Sequence, residues 1–280
     1  MRDAFMELDA SIRKTFDENF GSDQSGCTAI AALVTPSHII VANSGDSRSV
    51  MAKDGRTVEM SYDHKPINVR RRGTVAGERR RIENAGGLVR SNRVNGDLAV
   101  SRALGDFSYK ANTKLPAEQQ QVSAEPDIEV QNIDGTEEFL ILACDGIWDV
   151  MSNDELCAYI RQLMNNGESD LKLIAEEILD NCLRAGRHVG FYLASYVLCF
   201  AVLMDTNCRT CRCYFLYRSR DNMSVVIVKF PGAKLGEGGG VRKIREERAR
   251  LEKAEQEANG EFDDHDNGGV AGALPGSKST

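Results

Sequence analysis

Three aspartates in this chain stand where strand-like runs begin or end. Asp46 follows the run "IIVANSG", Asp145 follows "FLILAC", and Asp221 opens "DNMSVVIVKF". Asp149 comes four residues after Asp145, past a glycine and a tryptophan. A strand end fixes a side chain on rigid backbone while leaving it open to solvent. Carboxylates gathered without His or Cys suit a hard divalent cation such as Mg²⁺ or Mn²⁺. Any one of them alone reads as a turn residue or a helix cap, because Asp beside Gly favours both. Buried carboxylates are costly unless they are paired or hold a metal, so three at strand ends with small neighbours begin to describe a site.

Composition narrows the classes of function. The 280 residues are 41% hydrophobic and 28% charged, with a net charge of -7. That balance argues against nucleic acid or an anionic membrane as partner, since neither offers cationic charge to meet it. Cys27, Cys144, Cys157 and Cys182 are scattered among apolar neighbours. They read as buried free thiols in a reducing compartment, which places the protein in the cytoplasm or nucleus.

The aspartates need elements to position them. "MRDAFMELDASIRKTF" interleaves Phe5, Met6, Leu8, Ile12 and Phe16 with charge, the pattern of an amphipathic helix and not of a signal peptide. Residues 29–34, 39–42 and 49–51 give three short β-type runs broken by Thr-Pro-Ser, Ser-Gly-Asp-Ser and Lys-Asp-Gly. The arginine-rich stretch 68–81 reads as a solvated basic loop leading to a short helix, "RIENAGGLV", that ends in Gly-Gly. "EEFLILACDG" reads as a strand, and "SNDELCAYIRQLM" as a helix with Ser152 as N-cap and Glu155 closing a capping box. A second helix, "SDLKLIAEEILDNCLRAG", and the strand "NMSVVIVKF" follow. Antiparallel-looking strands with helices grouped after them predict an α+β fold, helices packed on sheet.

The stretches "SGCTAIAALV", "VANSGDSRSV", "DHKP", "RIENAGGLV", "RVNGDLAVSRALGDFSYK", "VSAEPDIEV", "FLILACDGIWDVMSNDELC" and "SRDNMSVVIVKF" occur in one order along the chain. Together they resemble the metal-dependent serine/threonine protein phosphatases of the PPM type, also called PP2C. The resemblance implies a β-sandwich of two antiparallel sheets flanked by helices. It also implies a hydrolase in which two Mg²⁺ or Mn²⁺ ions, with a possible third, activate a water that attacks phosphoserine or phosphothreonine in a protein. By motif, Asp145 and Asp221 would be ligands of the paired metals, and Asp46 and Asp149 would serve the third position. Arg102, Gly105 and Asp106 belong to the segment beside the flap that borders the active site. A monomer is expected. Rival phosphatase chemistries fail on the residues. The position six after Cys182 is His188 where a cysteine-dependent enzyme needs Arg, and no Asp-x-Asp follows the first strand.

Departures from the family pattern carry equal weight. The family's early arginine, glutamate and Asp-Gly-His motif have no counterpart here, so no catalytic arginine or histidine is assigned. Only two of the four carboxylates expected around the paired metals are present, which predicts an incomplete sandwich with bare strand edges and little or no activity for this chain. The competing expectation is a pseudophosphatase or truncated binding module for a phosphoprotein or a phosphatase partner. The phosphatase-type domain is read as 1–231, interrupted by an apolar, Cys-containing insertion at 187–218. Its run at 189–204 is short of the roughly 20 residues a membrane span needs. Cys199, Cys208, Cys211 and Cys213 fit no standard zinc spacing. The insertion is expected to leave the fold and return, its apolar run either exposed or laid over the bare sheet edge, and its deletion to be tolerated. Residues 232–280 read as a Gly-rich linker, a charged helix and a disordered acidic tail.

Overall fold

The computed structural model describes residues 1–19, 25–67, 75–185, 199–204, 214–215, 223–237 and 240–263. Helix α1 (Arg2–Asn19) leads into strands β1 (Gly26–Cys27), β2 (Ala29–Val34), β3 (His38–Ser44), β4 (Arg48–Lys53) and β5 (Arg56–Glu59). Next come α2 (Val75–Asn84), β6 (Val89–Arg90), β7 (Arg93–Val94), β8 (Leu104–Gly105), β9 (Asp127–Asn132) and β10 (Glu137–Ala143). The chain ends with α3 (Asp145–Trp148), α4 (Asn153–Asn165), α5 (Leu171–Ala185), β11 (Cys199–Met204), β12 (Tyr214–Phe215), β13 (Ser224–Lys229) and α6 (Gly240–Asp263).

Among the described residues two larger sheets form. One has the order β12-β13-β10-β4-β5 and the other β11-β2-β3-β9. Side chains alternate across a strand, so each sheet presents two different faces. In β10, Leu140 and Leu142 meet Ile30, Ala32, Ile39 and Val41 of the other sheet, forming the core between the sheets. The alternate residues Phe139, Ile141 and Ala143 face Leu156, Ile160, Ile174 and Ile178 of α4 and α5. Phe5 of α1 covers the far face of the second sheet at Ala29, Ala31 and Ala42. The expected α+β sandwich with flanking helices is what these layers make.

Local signals account for several boundaries. The Ser152 hydroxyl accepts from the Glu155 N–H while the Glu155 carboxylate accepts from the Ser152 N–H, so the capping box starts α4 as the sequence indicates. The reading of 68–81 as a solvated loop needs correction where it is described. Helix α2 begins at Val75, and Arg81 is turned inward, donating to Glu78 at 2.8 Å and to the Gln120 carbonyl at 3.1 Å. The insertion is not wholly apart from the fold. Its residues 199–204 pair in parallel with β2, from Cys199↔Ala29 to Met204↔Val34, and residues 214–215 pair with β13. Strand β11 thereby occupies the edge of the second sheet, the only parallel pairing in either larger sheet among the described residues. Its remaining residues, including Cys208, Cys211 and Cys213, lie outside the described residues. The charged helix of the tail is α6, anchored by buried Val241 and by Arg245 and Arg248, which grip the fully buried Glu177 of α5. Among the described residues no helix is long and apolar enough to cross a membrane.

Candidate active site

The turn between β3 and β4 carries Asp46 and is held from several sides. Gly45 has φ +124°, and a Cβ there would lie 2.4 Å from the Thr28 side chain, so only glycine fits. The Asn43 amide donates to the carbonyls of Gly45 at 3.1 Å and Tyr62 at 3.0 Å. His64 closes the other side: its Nδ1 accepts from the Gly45 N–H at 3.1 Å, and its own N–H donates to the Gly45 carbonyl at 2.9 Å. Thr28 and Ser47 share a buried hydroxyl pair at 2.9 Å beneath the turn. Asp46 sits on this fixed backbone with 6% of its surface exposed, its carboxylate ion-paired with the Lys65 ammonium. Burial would depress the Lys65 pKa, but Asp46, then Asp145 and Asp63, outweigh it and hold the ammonium above the ordinary lysine value.

Asp145 opens α3 at the carboxyl end of β10. Its Oδ1 accepts from the Gly146 N–H at 3.0 Å, and its carbonyl accepts from the Asp149 N–H at 2.7 Å. The four-residue spacing therefore closes one helical turn, with Asp145 half-buried and Asp149 exposed. Trp148 pins the turn by donating its indole N–H to the Ala143 carbonyl at 2.8 Å. Arg48 lies over that ring at 5.4 Å and clasps Asp63 through two bonds of 2.9 and 3.0 Å, tying the β4 end to the segment that carries His64 and Lys65. On the other flank, the antiparallel register of β10 and β13 sets Ala143 opposite Val225, and the Ser224 N–H donates to the Cys144 sulfur at 3.1 Å. Asp221 lies outside the described residues.

Arg102 belongs to a separate, inward-facing ion cluster. Its guanidinium donates to Glu78 at 2.9 Å, to Asp127 at 3.0 Å and to the Glu125 carbonyl at 2.9 Å. Asp127 in turn lies 3.2 Å from His64 Nε2, so the cluster leads back to the Asp46 turn. Burial works against the Glu78 anion, but Arg81 and Arg102 overcome it and hold its pKa at about 2. Asp106 adopts a left-handed backbone at φ 52°, packed behind Gly26, where a Cβ would lie 2.2 Å from its Oδ2. Among the described residues that buried Oδ2 has no hydrogen-bond partner. Burial, against Lys110 and with Asp9, pushes the carboxyl up to about 6. Gly105, at φ +75°, donates its N–H to Asp9 of α1 at 2.8 Å.

A hard cation needs several carboxylate oxygens around one point. Among the described residues no three His, Cys, Asp or Glu side chains converge in that way, and Asp46 is already taken by Lys65. The described residues alone therefore do not make a metal centre. Asp46 and Asp145 do share one neighbourhood, because Lys65 senses both, whereas Arg102 and Asp106 point into other clusters. His64, Lys65, Glu78 and Asp127 carry the electrostatics of this region and were not singled out from sequence. The available signal was the compact charged motif "DHKP" after a β-hairpin.

The comparisons with known proteins bear on the same segments. The family model described as Protein phosphatase 2C matches residues 1–189. The chain is 37% identical over 259 residues to Protein phosphatase 1A of Bos taurus, covering 92% of this chain and 57% of that protein. It is 38% identical over 258 residues to Protein phosphatase 1B of Homo sapiens, covering 92% of this chain and 45% of that protein. The chain thus spans about half the length of the curated relatives it matches. Among solved structures, a phosphatase from a pathogenic strain of Toxoplasma gondii aligns with TM-score 0.52 and 29% identity over 71% of this chain and 50% of that one. A serine-threonine phosphatase 2C from Toxoplasma gondii aligns with TM-score 0.58 and 21% identity over 82% and 66%, which speaks for the fold. With the sandwich, the Asp46 turn and the Asp145 helix start in place, the chain belongs to the protein phosphatase 2C family.

Proposed function

We propose that the chain serves protein serine/threonine dephosphorylation, with phosphoserine and phosphothreonine proteins as substrates and no nucleic acid partner, as a monomer in the cytoplasm or nucleus. On this reading Asp145 and Asp221 hold Mg²⁺ or Mn²⁺, with Asp46 and Asp149 at a further position. When bound, such an ion lowers the pKa of a water and supplies the nucleophile. The observation that supports it most is the β10–β13 register: it brings the backbone just after Asp221 in sequence beside the residue just before Asp145. The chain's own residues orient these ligands. His64, Asn43 and Gly45 fix the Asp46 turn, and Trp148 fixes the Asp145 turn. Arg102 does not reach the ligands itself, since its guanidinium is committed to Glu78 and Asp127.

A second reading, a phosphoprotein-binding module without turnover, is favoured by the ion-paired Asp46. Assay of the 280-residue chain on a phosphothreonine peptide in excess Mn²⁺ separates the two. We expect slow turnover that is lost with EDTA and in Asp145→Asn. Turnover indifferent to both would refute the metal reading. Peptide binding without turnover, retained in Asp145→Asn, would select the second.

A further inference from the structure

Helix α6 turns a charged face toward α5. Arg245, Arg248, Ala249 and Glu252 recur at spacings that keep them on one side of α6, and Asp180 and Arg184 stand four apart on α5. These six residues line a cleft of about 200 Å³ between the two helices. The fully buried Glu177 beside it is satisfied: Arg245 donates to it at 2.8 Å, Arg248 Nη2 at 2.5 Å and the Tyr159 hydroxyl at 3.0 Å. Asp180 accepts from Arg245 at 3.2 Å, and Glu252 lies 3.7 Å from Arg184. Their side chains are 49% and 57% exposed, which places both carboxylates at the mouth. Two donors are left over. Arg184 Nε and Arg248 Nη1 are buried and have no hydrogen-bond partner among the described residues.

A buried donor without an acceptor is costly, and more so when it is charged. Here two such donors, one from each helix, border the same cleft, and both are cationic, so an anion completes them. It enters from solvent, because the carboxylates of the walls leave these donors open. We propose that the cleft between α5 and α6 binds one phosphate group, held by Arg184 and Arg248 through these donors. A phosphate offers three oxygens to two guanidinium forks on separate helices, where a carboxylate offers two. Ala249 contributes only a methyl group to the wall and leaves room for it. A phosphorylated protein and free inorganic phosphate share this chemistry. Asp180 and Glu252 at the mouth favour the first, as a phosphorylated residue with a lysine or arginine beside it in sequence. The inference goes beyond dephosphorylation: none of the six residues belongs to the Asp46 or Asp145 turns, and binding here requires no metal. It gives the chain a place to hold a phosphorylated segment that it does not hydrolyse there.

Peptide binding to the 280-residue chain in excess EDTA, which stops any metal-dependent turnover, tests this by fluorescence anisotropy. A labelled phosphothreonine peptide with flanking lysines should bind, and its unphosphorylated form should not. Arg184→Gln should weaken binding about tenfold (about 1.4 kcal/mol). Its thermal midpoint should stay near the parent's, because the one ion pair removed is long and exposed. Glu252→Gln should tighten binding about threefold by releasing Arg184 from that pair. Inorganic phosphate should shift the Arg184 Nε–H resonance in nitrogen-15 spectra of the parent. Should Arg184→Gln prove unstable, the gain in Glu252→Gln and the resonance shift decide. If inorganic phosphate displaces the peptide at equal concentration, the cleft stands as a site for the free ion. Binding lost in Asp145→Asn but unmoved by Arg184→Gln puts the phosphate at the candidate active site and refutes the cleft, while the proposed function survives. Equal binding of both peptide forms, or no binding of either, also refutes it.

Discussion

Asp106 is the residue whose replacement should stabilise the fold. It is 6% exposed and its Oδ2 has no partner among the described residues, so the ionised carboxylate is held in a place that solvates it poorly. Burial first, and Asp9 beside it, raise its pKa from 3.8 to about 6, although Lys110 pulls the other way. The folded state therefore binds this proton more tightly than the unfolded chain. The associated stability is fully present below pH 3.8 and is lost as pH rises through about 6. A shift of roughly two units corresponds to about 3 kcal/mol at neutral pH, as an order of magnitude. Asp106→Asn keeps the shape and removes the charge. Urea denaturation across pH should show the variant more stable by as much as about 3 kcal/mol at pH 8, with the gain shrinking toward zero near pH 4. A variant no more stable than the parent at pH 8, or one with a gain that does not change with pH, would refute the argument that burial of this charge is what costs.

Glu78→Gln should act in the opposite sense, because it leaves Arg81 and Arg102 without their shared carboxylate. We expect a loss of about 3 kcal/mol or more in urea midpoints at pH 7. In the parent, the Glu78 contribution should be present above pH 4.5 and fade as pH falls toward about 2. Glu177→Gln should loosen α6, since the buried carboxylate accepts from Arg245 at 2.8 Å and also pairs with Arg248 and Tyr159. Amide exchange in residues 240–254 should quicken by about tenfold while that of β10 stays unchanged. Unchanged exchange in α6 would mean that Val241 and Ile244 hold the helix without the ion pairs.

The parts of this molecule that could be read along the chain are those specified locally. Residues 29–34 announce a strand by being apolar between turn signals, and Ser152 with Glu155 announces a helix start by mutual hydrogen bonds. The Asp46 and Asp145 positions were legible for the same reason: each follows a strand that stops at a small residue. What could not be read depends on partners far apart in sequence. Nothing near Arg102 says that its guanidinium will meet Glu78 and Asp127, or that His64 will close the same cluster. Strand β9 is not read as a strand from the sequence, and it turns its apolar pair, Ile128 and Val130, outward, so its alternation does not mark a buried face. Arg81 misled because an arginine run looks solvated until a half-buried glutamate three residues earlier is found.

The parallel seating of β11 on β2 also bears on how the chain comes off the ribosome. Ala29 and Cys199 are paired although 170 positions separate them. At about 5–20 residues per second, roughly ten to thirty seconds of synthesis pass between the emergence of the two strands. Throughout that interval β2 can already pair with β3 through one edge while the other edge presents unsatisfied N–H and C=O groups to whatever is near. Closing so long a loop is slow in any case, because its entropy is lost before the new contacts form. The nascent protein is thus most prone to sticking to its neighbours on a polysome between the emergence of the two strands, and binding of a chaperone to the β2 edge would matter most in that interval.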